Sequence, residues 1–409
     1  MSLLRMLRPT LPVLIGASLM LSLSMGLRQS LGIFLQPLTR DVGISVSDFT
    51  LAIAVQNLAW GFLQPLAGAF TVRYGFRSMM VGALFYIAGL VLMASAQGIL
   101  GVMLGAGVLI GVSLACTAAA IAMSVAARAV PAAVRSTVLG IVSAAGSLGA
   151  LLSAPLGQVL NEGYGWRTGL AGFVVLSLAL LPAAWFAGKV DQIPLPRPAA
   201  DEVGNTSASV AVKVAFGNAA FVVMTCAYFV CGMQLVFITT HLPSYLAICG
   251  MDPMLSAQTL GVIGGFNVLG SLFFGWAGGR WNKLALLGGI YIVRSLALAW
   301  YFMLPPTPAT TLLFGAIMGF LWLGVGPLVA GAVADMFGLR WQAMIQGLAF
   351  MSHQLGSFLG AYGGGLIYDT LGSYTMAWRI GVAVGLAAGI IQVAFALVRP
   401  SEPPLVAAR

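Results

Sequence analysis

The chain has 409 residues, 60% of them hydrophobic and 7% charged, with a mean hydropathy of +1.00. A soluble domain carries roughly 25% charged residues, so this composition excludes a soluble globular protein and points to many membrane spans. The net charge of +9 at pH 7 is no argument for a nucleic-acid partner, because in a membrane protein the placement of Lys and Arg reports topology.

A transmembrane helix needs roughly 20 apolar residues. The chain offers twelve such runs, at 11–36, 48–70, 78–97, 100–126, 136–160, 168–188, 215–247, 255–278, 284–304, 310–334, 342–367 and 377–398. They do not alternate apolar and polar residues as barrel strands do. In lipid, such a run satisfies its backbone as a helix. The predicted fold class is an all-α integral membrane protein of twelve helices. The first run is read as a retained helix: it is too long for a signal peptide, Arg28 interrupts it, and no small-residue cleavage site follows.

Between the sixth and seventh runs lies 189–213, the one long polar, proline-rich stretch, with Pro194, Pro196, Pro198, Asp201 and Glu202. Such punctuation marks a linker. The predicted organisation is a six-helix half over 1–188, this cytoplasmic linker, a second half over 214–399 and a short tail over 400–409. With the N-terminus in the cytoplasm, Arg40, Arg167 and Arg379 are the basic residues on the outer side, and Arg28 and Arg294 fall inside spans. All other Lys and Arg then lie on the cytoplasmic side. That bias predicts an inner (plasma) membrane protein with both termini cytoplasmic.

The halves repeat. Gly26 and Pro37 of the first span match Gly232 and Pro243 of the seventh at an offset of 206, and Gly68 and Arg73 match Gly275 and Arg280 at an offset of 207. Trp166-Arg167 opens the sixth span and Trp378-Arg379 the twelfth. Such matches argue for a duplicated six-helix unit, and transporters built from repeats place their site near the bilayer midplane.

Arg28 has no acidic residue near it in sequence, and the ten Asp and Glu fall outside the predicted spans except Asp48, which sits at a span edge. A charge at mid-membrane costs roughly 2.5–3.5 kcal/mol on insertion scales and marks function by default. A cavity with a cation and no anion attracts an anion, and the planar guanidinium suits a carboxylate bidentately. Arg28 is therefore the candidate ligand for an organic anion. The competing reading has it bound to backbone carbonyls or snorkelling outward.

Gln56, Asn57, Asn267 and Gln354 are candidate cavity polars, equally suited to bridging helices. Gln234 occupies the repeat position of Arg28 and is its preferred partner across the pseudo-symmetry axis. His353 and His241 are the titratable groups inside the spans whose intrinsic pKa lies near neutrality, which makes them candidates for proton coupling. The competing reading for each is a neutral histidine bonded to a neighbouring helix. Arg294, in the ninth span, is read as structural. Cys116, Cys226, Cys231 and Cys249 form no Cys-x-x-Cys pair, so free thiols are expected, and neither a metal nor a cofactor. No glycine-rich run carries a Walker lysine, which argues against a nucleotide-driven pump.

The loop after the second span reads Gly68-Ala69-Phe70-Thr71-Val72-Arg73-Tyr74-Gly75-Phe76-Arg77. It resembles the Gly-x₃-Asp-Arg/Lys-x-Gly-x-Arg/Lys motif of the major facilitator superfamily, and the resemblance covers essentially the whole chain. Val72 stands where that family has Asp, and Gly279 stands there in the second copy, Gly275-Trp276-Ala277-Gly278-Gly279-Arg280. In the family this Asp helps lock the cytoplasmic gate. The resemblance thus implies gating roles for Arg73, Arg77 and Arg280, with Asp335 as the substitute carboxylate.

Two further pieces, Met25-Gly26-Leu27-Arg28-Gln29-Ser30-Leu31-Gly32-Ile33-Phe34 and Cys231-Gly232-Met233-Gln234-Leu235-Val236-Phe237-Ile238-Thr239-Thr240-His241-Leu242-Pro243, look like the bacterial monocarboxylate and oxalate–formate branch. Members of that branch often carry a substrate-binding Arg in span eight, and some a Lys in span eleven. Here span eight offers only Asn267 and span eleven offers His353 and Gln354, which shifts anion binding to Arg28 and the histidines. The implied function is secondary active transport of a small organic anion, a monocarboxylate in symport with a proton, by a monomer in the lipid bilayer that is not an enzyme. Anion exchange or efflux of another small compound is the alternative. An alternative of another class is a membrane-embedded enzyme or sensor.

Overall fold

The computed structural model describes residues 7–195 and 206–398. Twelve long helices run through them, and no strand occurs among the described residues. They are α1 Arg8–Asp41, α2 Val46–Tyr74, α3 Phe76–Ala94, α4 Ile99–Ala129, α5 Ala132–Tyr164, α6 Trp166–Gln192, α7 Ala219–Ile248, α8 Pro253–Ala277, α9 Lys283–Met303, α10 Pro308–Phe337, α11 Gln342–Leu371 and α12 Thr375–Val398. Eleven are long and apolar enough to cross a membrane. The remaining helix, α11, has the length at 30 residues, but its glutamine, histidine and serine side chains lower its apolar content.

The helices extend past the apolar runs because capping groups set their ends. Ser45 and Asp48 form a reciprocal capping box that starts α2. The side chains of Asn218, Asn282 and Thr307 accept the first free N–H groups of α7, α9 and α10. Asp41, Asp48, Glu162, Asp191, Asp335 and Asp369 sit in the end turns of these helices, at or beyond the edges of the apolar runs.

The chain divides into two compact units, Met1–Pro196 with Leu339–Gly347, and Arg197–Gly338 with Leu348–Arg409. The opening turns of α11, placed by sequence in the second half, cluster with the first unit. Of the expected linker, Lys189–Gln192 continues α6 as a 3₁₀ turn and residues 208–213 begin a short helix, Ala208–Gly217. Pro196, Arg197, Pro198, Asp201 and Glu202, and the tail from 399, lie outside the described residues.

Inside the first unit α1 packs on α5 and α6, α2 on α4, and α3 on α4 and α6. Inside the second, α8 packs on α10, and α9 and α7 on α12. Helices approach this closely where glycine removes the side chain. A Cβ at Gly26 of α1 would overlap the Gly149 carbonyl of α5, and one at Gly149 would overlap Ser22.

The loop after α2 shows how the first unit compensates for Val72. Gly75 turns the chain at φ +81°, a left-handed conformation open to glycine. The next N–H, of Phe76, donates to Asp191 Oδ2 at 2.8 Å. Asp191 Oδ1 also faces Arg128 Nη1 of α4 at 3.4 Å, and Arg128 Nη2 donates to the Ile193 carbonyl at 3.0 Å. A carboxylate from the end of α6 thus anchors this loop. A hydrogen bond to a charged group contributes about 1.5–3 kcal/mol when sheltered, and the partial exposure of Asp191 lowers that. Asp191→Ala is expected to lower the melting temperature of the purified protein by a few degrees, and Asp191→Asn by less. Equal melting of Asp191→Ala and the wild type would show that the loop holds without this anchor.

Candidate functional site

In the first unit, α1 is an α-helix over Leu11–Gln29, tightens to a 3₁₀ turn over Ser30–Phe34 and resumes over Leu35–Asp41. Arg28 sits just before this change. Its Nε donates to Gln56 Oε1 at 3.0 Å, its Nη2 donates to Asn57 Oδ1, and its guanidinium lies 5.1 Å from the Trp60 ring centroid. Among the described residues the ion pairs are Arg40–Asp41, Arg128–Asp191 and Lys283–Asp335, so no carboxylate pairs with Arg28. The group is a cation held by two neutral amides and a ring face, an environment that orients the charge without neutralising it.

The amides are themselves fixed. Residues Met103–Leu109 of α4 form a π-helical turn, which disturbs the regular i→i−4 ladder. Gln56 Nε2 donates to the Ala106 carbonyl in that turn at 2.6 Å. Lower down, α4 breaks at Ala118, and Gln64 Nε2 donates to the Ala115 carbonyl at 2.8 Å while its Oε1 accepts from Trp60 Nε1 at 3.0 Å. Each irregularity of α4 therefore locks a side chain of α2. Tyr86 of α3, fully buried, donates to the Ser24 carbonyl one turn before Arg28.

The structure brings together Arg28, Gln56 and Asn57, three residues singled out by sequence. Sequence reasoning passed over Trp60 and Tyr86. Trp60 carried a usable signal, since it lies one helical turn after Gln56 and shares its face.

In the second unit Gln234 has a different partner from the one expected. Its Oε1 accepts from Arg294 Nε at 3.0 Å, and its Nε2 donates to Ser295 Oγ at 3.0 Å and to the Gly381 carbonyl at 2.8 Å. Both of its N–H groups and its carbonyl oxygen have partners inside its own unit, so the structure shows Gln234 bonded to Arg294, Ser295 and Gly381 rather than to Arg28. Arg294 is 0% exposed, with Nη1 on Cys231 Sγ at 3.4 Å and its guanidinium 5.3 Å from the Tyr291 ring centroid.

Asn267 lies apart from this network. Its Oδ1 accepts the Leu323 N–H at 3.2 Å, at the point where α10 breaks between Trp322 and Val325. This is a brace for an interrupted helix. His241 is likewise committed: Nε2 donates to the Ala361 carbonyl at 2.9 Å, and Nδ1 faces the Tyr374 hydroxyl at 3.3 Å.

His353 and Gln354 stay together on α11. His353 Nδ1 faces Gln354 Oε1 at 3.3 Å and Ser357 Oγ at 3.5 Å, and its ring lies 4.6 Å from that of Tyr228 and is stacked on Phe350. Gly232 of α7 makes room for this turn, since a Cβ there would overlap the His353 carbonyl.

Of the residues expected at the gate, Arg73 lies over Tyr74, Arg77 over Trp185 and Arg280 over Trp276. Asp335 accepts from Lys283 Nζ at 2.7 Å, a partner from its own unit.

Relatives of this chain are membrane transporters. It is 23% identical over 390 residues to the uncharacterized MFS-type transporter YcxA of Bacillus subtilis, covering 90% of this chain and 91% of that one. It is 26% identical over 396 residues to human monocarboxylate transporter 11, covering 93% and 82%. Among solved structures the proton:xylose symporter XylE superposes with a TM-score of 0.72 at 14% identity, covering 95% of each chain. The Escherichia coli fucose:proton symporter FucP superposes with a TM-score of 0.73 at 14% identity, covering 94% of this chain and 98% of that one. The sequence profile of the Major Facilitator Superfamily matches residues 17–361, and the chain, a multi-pass helical membrane protein with that fold, belongs to this family.

Proposed function

We propose that this transporter moves a small monocarboxylate together with a proton, and that Arg28 holds the carboxylate. Membership of the family makes the chain a transporter and not an enzyme. The observation that carries the finer reading is the setting of Arg28: a guanidinium inside a span, oriented by Gln56, Asn57 and Trp60, with no carboxylate beside it among the described residues. A carboxylate entering there neutralises a charge that the protein leaves uncompensated, and the guanidinium fork matches its two oxygens. Several relatives bear the name monocarboxylate transporter, which favours the same substrate class. The protonatable partner in this reading is His353, whose Nδ1 faces the acceptor oxygen of Gln354 at 3.3 Å on the same helix. The bias of Lys and Arg along the chain supports cytoplasmic termini.

One anion carried with one proton is electroneutral. Proteoliposomes holding the purified protein are expected to accumulate labelled lactate when the interior is made alkaline, and to ignore an imposed membrane voltage. Uptake that follows voltage would overturn proton symport. Uptake that needs internal substrate and disregards the pH gradient would establish exchange instead.

A further inference from the structure

Each unit carries an apolar groove at the same place in its repeat. In the second unit a groove of about 320 Å³ lies among α8, α9 and α10, lined by Phe274, Trp281, Ala285, Leu286, Gly289 and Val293. In the first unit one of about 260 Å³ lies among α2, α3 and α4, lined by Ala67, Phe70, Ser78, Met79 and Phe85. The offset of 207 that takes Arg73 to Arg280 also takes Ala67 to Phe274, Ser78 to Ala285 and Met79 to Leu286. Three lining positions thus correspond, and the two grooves lie among equivalent helices of the two units.

Both end in the same way. Arg280 lies 4.2 Å from the Trp276 ring, and that ring is 5.5 Å from groove-lining Trp281. Arg73 lies 5.3 Å from the Tyr74 ring, and that ring is 4.3 Å from groove-lining Phe70. Both arginines are exposed, and neither belongs to an ion pair among the described residues. The neighbouring carboxylate, Asp335, is taken by Lys283. The grooves open on the exposed apolar surface of the span helices: Val293 is 49% exposed and Phe70 49%.

An apolar trough, an aromatic ring at its end and a cation beyond it that belongs to no ion pair among the described residues follow the build of a phospholipid from chain to phosphate. We propose that each groove seats an anionic diacyl phospholipid, with an acyl chain along the trough and its phosphate on Arg73 or Arg280. A net negative headgroup is favoured because Asp191, bonded to the loop that follows Arg73, and Asp335 are already paired with Arg128 and Lys283. Arg73 and Arg280 then tie each six-helix half to the membrane.

The test uses the delipidated full chain in detergent. A ligand that binds the folded state raises its melting temperature by mass action. Phosphatidylglycerol is expected to raise it by several degrees, phosphatidylcholine by clearly less, and glycerol phosphate, the headgroup without chains, not at all. In the Arg73→Gln/Arg280→Gln double variant the two lipids become equivalent. Equal responses in the wild type, a response to glycerol phosphate, or selectivity that survives in the double variant would each overturn the proposal.

A second measurement stands if that variant does not fold. No atom lies within 4 Å of a Cβ built on groove-lining Gly289, so Gly289→Phe directs a ring into one groove. Native mass spectrometry is expected to find two tightly held phosphatidylglycerols on the wild type and one on Gly289→Phe. Equal numbers on both would overturn the proposal. Neither readout involves transport, so the outcome is independent of the substrate reading.

Discussion

Replacing Arg28 with Gln is expected to weaken lactate uptake by at least roughly 30-fold in apparent affinity while leaving the protein at least as stable. Truncating one partner of a desolvated, hydrogen-bonded charge pair costs about 2–5 kcal/mol, and about 1.4 kcal/mol is a factor of ten. The stability half of the prediction follows from the same geometry. Without substrate, the Arg28 guanidinium is held by Gln56 Oε1, Asn57 Oδ1 and the Trp60 face, with no anion to repay its desolvation. Removing an uncompensated buried charge relieves that cost, so the melting temperature of the empty variant should hold or rise. A residue that lowers stability and supports function is the signature of a binding site.

Arg28→Lys separates charge from shape. It keeps the cation and loses the planar fork, so an intermediate loss is expected. The measurement is a concentration series of labelled lactate uptake under a fixed pH gradient, paired with thermal melting of each variant. Wild-type uptake by a well-folded Arg28→Gln variant would make Arg28 a structural residue and return the anion reading to the relatives alone.

How much of this was legible in the sequence depends on what each feature rests on. The spans were legible because hydropathy acts over some twenty residues at a time, and a bilayer admits few other solutions. Arg28 was legible because a charge inside such a run stands out by its cost alone. Gln56 and Asn57 were legible only as polar residues inside an apolar run, equally suited to a cavity or to bridging helices; their contact with Arg28 is seen in the structure. The errors concern pairings.

Gln234 was assigned to Arg28 by repeat register, yet the register fixes backbone positions and not side-chain reach. In the first unit the arginine sits on the first helix of the repeat and reaches α2. In the second the arginine sits on α9, and the residue at the Arg28 position is the glutamine that receives it. Asn267 and His241 are polar residues inside apolar runs, indistinguishable by sequence from site residues. Only the break in α10 and the Ala361 carbonyl reveal what each one serves. Asp191 was invisible as a substitute for the missing loop carboxylate because it lies 115 residues beyond Phe76. The prolines and charged residues that follow it marked its surroundings as linker.

The buried pair in the second unit gives the largest expected effect on stability. Arg294 is 0% exposed, and Gln234 Oε1 accepts its Nε at 3.0 Å. Its Nη2 finds no hydrogen-bond partner among the described residues. Gln234→Leu strips this guanidinium of its closest acceptor and leaves the charge in place. Losing the partner of a buried charge costs about 3–5 kcal/mol. Arg294→Met removes the charge itself, keeps most of the volume and leaves a neutral amide oxygen unpaired, which costs about 1–3 kcal/mol.

The double variant Gln234→Leu/Arg294→Met has neither problem, apart from the Ser295 and Gly381 contacts that Gln234 also makes. It should therefore recover most of the stability lost in Gln234→Leu. Melting temperatures of the four proteins form a double-mutant cycle, and residues in contact are expected to show strong coupling. The order of damage is the diagnostic: Gln234→Leu worst, Arg294→Met milder, the double variant close to Arg294→Met. If the two single losses simply add, the Arg294–Gln234 contact stores no coupling, and the arginine is held by Tyr291 and Cys231 instead.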